Sequence, residues 1–304
     1  MKLIDAIEEF LIYYSSVRGM SKNSTAAYKN DLLIFLNMPS IKGKNIEDIQ
    51  ENDFRLCISE LSKKKRKATS INRFISAVRV LFAYCRKFDY IKINPTTEIK
   101  NVKIPKTLPR FMTGVEVDRI CEEPKKNPLL WALRDYAIFE MLYSSGCRLS
   151  ELVNLKIGDF SVDLSSAKVK GKGKKDRIVY FGEDSVNALK SYLLDRKKRF
   201  KIETSYDKND FIFVNQKGTP LTSRGVGFIL SKYSSVEGTK RHVNPHAFRH
   251  TFATALISSG ADVRLVQELL GHSSISTTQR YTHISTEKMI EMYNKSHPHG
   301  GNKS

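Results

Sequence analysis

The chain has 304 residues, with 51 Lys and Arg against 32 Asp and Glu, a formal net charge of +19 and a pI near 9.7. That length accommodates two domains with cores of their own, and so large a cationic excess favours a polyanionic partner over a merely soluble role. No apolar run approaches a membrane span, residues 1–10 carry acids where a secretory leader would be basic and apolar, and Cys57, Cys85, Cys121 and Cys147 form no Cys-x-x-Cys pair; a cytoplasmic protein with reduced thiols is expected.

Residues 1–92 read as a small helical bundle. Leu3, Ile7, Phe10, Leu11 and Tyr14 recur at helical spacing, and Ser21 stands as N-cap to a second helix carrying Tyr28, Leu32, Phe35 and Leu36. A third helix is expected through Phe54, Ile58 and Leu61, and a fourth through Ile71, Phe74, Ile75, Val78, Leu81, Phe82 and Cys85. Between them lies Lys63-Lys64-Lys65-Arg66-Lys67. A charge run is ordinarily a solvated face, but cations at a helix start oppose its dipole, a cost that a bound phosphate relieves. These five are candidate contacts to a nucleic-acid backbone.

From 93 to 110 the periodicity fails. Pro95, Pro105 and Pro109, with Lys100, Lys103 and Lys106 among them, predict a basic, extended linker. Thr113 then caps a helix, and a long apolar helix is expected from Leu129 to Tyr143, ended by Gly146. Arg148 opens a short helix whose Leu152 and Leu155 point inward, and Glu151, one turn on, is placed to hold the guanidinium. Residues 167–170 and 177–181 alternate as a β-hairpin around the basic tip Gly171-Lys172-Gly173-Lys174-Lys175-Asp176. The tip lacks the spacing of a nucleotide-binding loop; Lys174 and Lys175 are further candidate backbone contacts. Residues 183–200 form a basic amphipathic helix, Phe211-Ile212-Phe213 a short strand, and Thr222 the cap of another helix.

The densest collection of polar groups on helical sequence runs from Pro245 to Tyr281. Phe252, Ala255, Leu256, Val263, Val266, Leu269 and Leu270 recur at core spacing, interrupted by Gly260 and restarted by Asp262; Gly271 ends the second helix and presents His272. His246 and His250 stand four apart, as in a zinc pair, but no Glu lies beside His246 and Arg249 brings a cation into the same space, so no metal site is assigned. A lone histidine is usually a hydrogen-bonded structural residue. The set His246, Arg249, His272 and Tyr281 is different: donors and a cation with one nucleophile suit a phosphodiester better than a carbonyl.

Pro245-His246-Ala247-Phe248-Arg249-His250, Leu269-Leu270-Gly271-His272 and Gln279-Arg280-Tyr281-Thr282-His283, with Gly146-Cys147-Arg148-Leu149-Ser150-Glu151 and Gly171-Lys172-Gly173 upstream, resemble the tyrosine recombinases, or phage-integrase family. The wording is closest to the bacterial Xer subgroup, and the Ser296-His297-Pro298 ending resembles its XerC branch.

The resemblance implies a fold that is mostly α with a small β-hairpin in the C-terminal domain: a two-domain clamp made of a helical, SAM-like core-binding domain (1–92), the linker (93–110), an α+β catalytic domain (111–295) with a C-terminal docking helix, and a tail (296–304). It implies a metal- and ATP-independent DNA strand transferase with no cofactor. Arg148 and Arg249 would hold the phosphate oxygens, His246 and His272 would add donors, Lys172 would be the lysine of the hairpin, and Tyr281 would be the nucleophile that joins the 3′-phosphate; Glu151 would support Arg148. Double-stranded DNA is the implied partner, together with a second Xer-type recombinase, two copies of each in a tetrameric synaptic complex, and a septal DNA translocase as activator. The implied role is conversion of chromosome dimers to monomers at cell division, and plasmid stabilisation. The alternatives are the integrase of a phage or mobile element, or a non-catalytic DNA-binding protein on the same fold.

Overall fold

A computed structural model describes residues 1–104, 112–171, 176–234 and 245–271. The chain divides into two compact units, Met1–Leu108 and Pro109–Ser304.

In the first unit four helices follow the apolar stripes: α1 (Leu3–Ser16), α2 (Lys22–Leu36), α3 (Glu51–Lys63) and α4 (Ala68–Lys87). Ser21 caps α2 through its side chain, which accepts from the Ser24 N–H. α4 packs against the other three. Their shared core is aromatic, with Phe35 stacked on Phe54 at 5.3 Å and Phe82 meeting Phe54 edge-on at 5.1 Å between ring centroids. Lys63 ends α3 and Lys64 to Lys67 form the turn to α4; all five are exposed, with Lys65 at φ +53° and Lys64 paired to Glu60 at 2.6 Å. Residues 93–104 belong largely to this unit's surface. Thr96 and Ile99 are buried, and the Asn72 amide brackets Val102, donating to its carbonyl at 2.9 Å and accepting from its N–H at 2.8 Å.

The second unit is built around α6 (Ala132–Ser145), whose residues from Ala137 onward are all buried. Around it pack α5 (Gly114–Lys126), α8 (Glu183–Phe200) and α10 (Pro245–Ser258). Thr113 and Glu116 close a reciprocal cap on α5. Strands β1 (Ser166–Lys170) and β2 (Asp176–Tyr180) form the antiparallel hairpin, with Ala167 opposite Val179 and Val169 opposite Arg177. α7 (Leu149–Leu152), α9 (Ser223–Ser234) and α11 (Val263–Leu270) are the unit's other described α-helices. Thr222 caps α9 by accepting from the Gly225 N–H, and Asp262 caps α11 by accepting from the Arg264 N–H at 2.6 Å.

Three expectations need correction. The apolar helix begins at Ala132, not Leu129: Leu129 and Leu130 are exposed, and the Leu129 N–H is drawn to the Tyr233 hydroxyl instead of into a helical ladder. Phe211–Phe213 is not a strand of a sheet. The segment is held by isolated bridges at Lys156–Phe211 and Val214–Pro220, while Ile212 and Phe213 fill the core. Val263 is 52% exposed, because the first residue of α11 lies on the outer side of a helix only eight residues long. Among the described residues, no helix is long and apolar enough to cross a membrane.

Candidate active site

The site grows from the end of α6. Gly146 terminates that helix in the left-handed region, at φ +55°. Two residues later Arg148 serves as N-cap of α7, with its N–H donating to Glu151 Oε2 at 2.7 Å and its Nη1 to Glu151 Oε1 at 2.8 Å. The expected Arg148–Glu151 contact is therefore present, and the carboxylate also fixes the backbone from which the guanidinium springs.

Glu151 has a second partner that sequence reasoning missed. Arg177, from β2, donates Nη1 to Oε1 at 2.8 Å and Nη2 to Oε2 at 2.9 Å, a forked pair with the carboxylate nearly enclosed. The signal was present in the strand: Arg177 shares the inward face with buried Val179, while the apolar Ile178 between them is exposed. An arginine facing inward needs a buried acid.

The same guanidiniums meet the C-terminal end of α11. Arg177 Nε donates to the Leu269 carbonyl at 3.1 Å, Arg249 Nη2 to that of Leu270 at 2.5 Å, and Arg148 Nη2 to that of Gly271 at 3.2 Å. Three successive carbonyls, which a helix terminus leaves without intrahelical partners, thus each receive one arginine. Arg249 also donates Nη1 to the Gly146 carbonyl at 2.7 Å, tying α10 back to the end of α6. The residue that follows this clamp is His272.

Electrostatically the cluster is cationic, with three guanidiniums about a single carboxylate. Burial lowers the Arg249 pKa first, and the neighbouring charges of Arg148 and Arg177 lower it further, to about 10. Burial alone would raise the Glu151 carboxyl, but hydrogen bonds from Arg177 and then from the Arg148 backbone outweigh it and hold the pKa below its usual value. Half-buried excess positive charge is a site waiting for an anion. The Arg148 side chain, 31% exposed against 13% for Arg177, is the more open of the two. His246 lies in the first turn of α10, exposed, one turn before Arg249 and on the same side of the helix. Among the described residues no three of His, Cys, Asp and Glu come together as a metal site; what converges here is a set of arginines.

The structure thus gathers Arg148, Glu151 and Arg249, with His246 on the helix that carries Arg249. Lys172, Lys174, Lys175, His272, Tyr281 and the proposed docking helix lie outside the described residues. Lys63 to Lys67 belong to the first unit.

Known proteins with this sequence pattern and fold point one way. Residues 110–288 match the phage integrase family, and residues 7–87 match the phage integrase N-terminal SAM-like domain. The tyrosine recombinase XerC of Treponema denticola is 43% identical over 302 residues, covering 97% of this chain and 99% of the relative. XerC of Thermodesulfovibrio yellowstonii is 40% identical, with 96% of each chain covered. Among solved structures, the XerH site-specific recombinase on palindromic difH substrate, a post-cleavage complex, aligns with a TM-score of 0.69 at 27% identity, covering 90% of this chain and 80% of that one. A lambda integrase dimer on a core site shares the fold alone, with a TM-score of 0.70 at 17% identity over 94% and 100% of the two chains. The chain belongs to the phage integrase family of tyrosine recombinases.

Proposed function

We propose that this site-specific tyrosine recombinase cuts and rejoins duplex DNA through a 3′-phosphotyrosine on Tyr281. The observation that carries the reading is the cationic cluster of Arg148, Arg177 and Arg249 about one carboxylate at the end of α11. A phosphodiester in attack concentrates charge on its non-bridging oxygens, and Arg148 and Arg249 are the groups to receive it. His246, beside the N-terminus of α10, adds a donor, and His272 follows directly from the clamped end of α11. The phenol of Tyr281 needs a positive field or a base to attack near neutrality, its free pKa being about 10. Lys172 protonates the departing 5′-oxygen. The phosphotyrosine conserves the bond energy, so a 5′-hydroxyl from a partner duplex completes the exchange without ATP.

The likeness to XerC proteins over nearly the full chain supports a finer reading. The recombinase works on the chromosome in the cytoplasm, pairs with a second Xer-type recombinase in a tetramer with two copies of each, and resolves chromosome dimers at cell division under a septal DNA translocase. Four buried free thiols fit a reducing compartment.

The test is covalent trapping. DNA recovered with the purified protein is sequenced, and the bound site is rebuilt as a nicked duplex from which the cleaved fragment diffuses away. The unaltered protein should accumulate a protein–DNA adduct; Tyr281→Phe should bind the same duplex without one, and Arg148→Ala should bind it and form the adduct far more slowly. An adduct formed by Tyr281→Phe would remove Tyr281 as nucleophile, and no adduct from the unaltered protein would favour a DNA-binding role on this fold.

A further inference from the structure

We propose that Arg177 is a positioning residue for strand cleavage: by saturating Glu151, it leaves the charge of Arg148 free for the scissile phosphate. The inference rests on the reading of Arg148 as a phosphate-binding arginine.

The geometry separates the two arginines that share Glu151. Arg177 engages both carboxylate oxygens with both of its Nη groups, whereas Arg148 offers the side chain of Glu151 only Nη1 and contributes its backbone N–H besides. Each oxygen therefore accepts two hydrogen bonds, one from each residue. Were Arg148 the sole partner, the pair would be neutral, and a phosphate would have to compete with the carboxylate for the guanidinium. With Arg177 in place the carboxylate still fixes the Arg148 backbone and Nη1, but its charge is spent on Arg177. Arg148 is oriented without being cancelled.

Arg177 is itself held tightly. Its Nε donates to the Leu269 carbonyl at 3.1 Å, and Gly271 lies flat against its stem: a β-carbon on Gly271 would stand 3.0 Å from Arg177 Cδ and 3.2 Å from Nε. It sits opposite Val169 in the hairpin. A rigid arginine with every Nη on an acid, only 13% exposed, is built to hold a neighbour and not to meet substrate.

The experiment follows covalent adduct formation in single turnover, on ordinary DNA and on DNA whose scissile phosphate carries a methyl in place of one non-bridging oxygen. That replacement removes the negative charge that Arg148 serves. On ordinary DNA, Arg177→Ala should slow cleavage by about 10–100-fold, as for a group acting through another. Arg177→Lys, which keeps the charge and loses the fork, should fall between. On the methylated substrate the deficit of both variants, measured against the unaltered protein, should shrink to a few-fold. Arg148→Ala with Arg177→Ala should be no slower than Arg148→Ala alone, since both act through one guanidinium.

A purely structural role would give the same deficit on both substrates and would multiply with Arg148→Ala; either result, or no deficit at all, overturns the proposal. If Arg177→Ala does not fold, Arg177→Lys carries the same comparison. Should Arg148→Ala itself cleave normally, the assignment of the phosphate site falls, and this inference falls with it.

Discussion

Gly146 lies flat under the ring of Phe252: a β-carbon on the glycine would stand 2.8 Å from Phe252 Cγ and 2.9 Å from Cε1. The same glycine holds φ +55° and offers its carbonyl to Arg249. One position thus stops α6, lets α10 approach, and anchors an arginine of the site. Gly146→Ala should therefore cost about 1–3 kcal/mol from overpacking, with the positive φ adding to it. Denaturant unfolding should show an earlier midpoint at unchanged slope, and part of the loss should return when Phe252 is also shortened to Leu. An alanine variant as stable as the parent would mean that α10 does not need this approach.

Glu151 gives stability a pH dependence of known sign. Its carboxyl pKa lies below the unfolded value of 4.5 because the donors from Arg177 and Arg148 outweigh its burial. The folded state thus binds that proton less readily than the unfolded state. The stabilisation is full above the unfolded value and is lost as pH falls through the lower folded one. Glu151→Gln removes a partner from two arginines and should cost about 3 kcal/mol at neutral pH. The gap between the variant and the parent in urea unfolding should then narrow as the pH falls below the unfolded value of 4.5. A gap that stayed constant would show that the carboxylate charge is not what holds the two arginines.

Much of this was legible because it is local. Ser21, Thr113, Thr222 and Asp262 cap the helices they precede, and Arg148 reaches Glu151 three residues on, the spacing at which helical side chains meet. What escaped depends on register between distant segments. Arg177 finds Glu151 only once the hairpin has paired, 26 residues away along the chain. It reaches Leu269 only once α11 has docked, 92 residues away. Periodicity also misjudges residues at element ends. Val263 fits the apolar repeat but opens a short helix on its outer side, and Leu129 fits it but lies in the turn before α6.

The exposed run Lys63 to Lys67 should contribute to duplex binding through phosphate neutralisation. Log K should fall linearly with log salt, by about 0.9 for each phosphate neutralised. Lys64 already has Glu60 as a partner at 2.6 Å, so its share should be smaller than those of Lys63 and Lys65. Replacing Lys63, Lys64 and Lys65 with Ala should flatten the salt slope and leave the melting temperature nearly unchanged, as the side chains are exposed. An unaltered slope would exclude this run from the interface.

The assignments of nucleophile and leaving-group acid can be separated by one atom of substrate. Tyr281→Phe deletes the attacking oxygen, so DNA with any leaving group should fail to become attached. Lys172→Ala leaves attack possible, but the 5′-oxygen must depart unprotonated, and a general acid is worth about 10²–10⁴-fold. With that bridging oxygen replaced by sulfur, the leaving group is a far better anion and needs no proton. Adduct formation by Lys172→Ala should then recover most of its rate, while Tyr281→Phe stays inactive. Arg148→Ala and Arg249→Ala should not recover, because the charge that they meet lies on the non-bridging oxygens. Sulfur that rescued the arginine variants equally would mean that their loss had been felt at the leaving group. Sulfur that failed to rescue Lys172→Ala would move the acid's role to a histidine, and His272, next along the chain from the three clamped carbonyls of α11, would be the first to test.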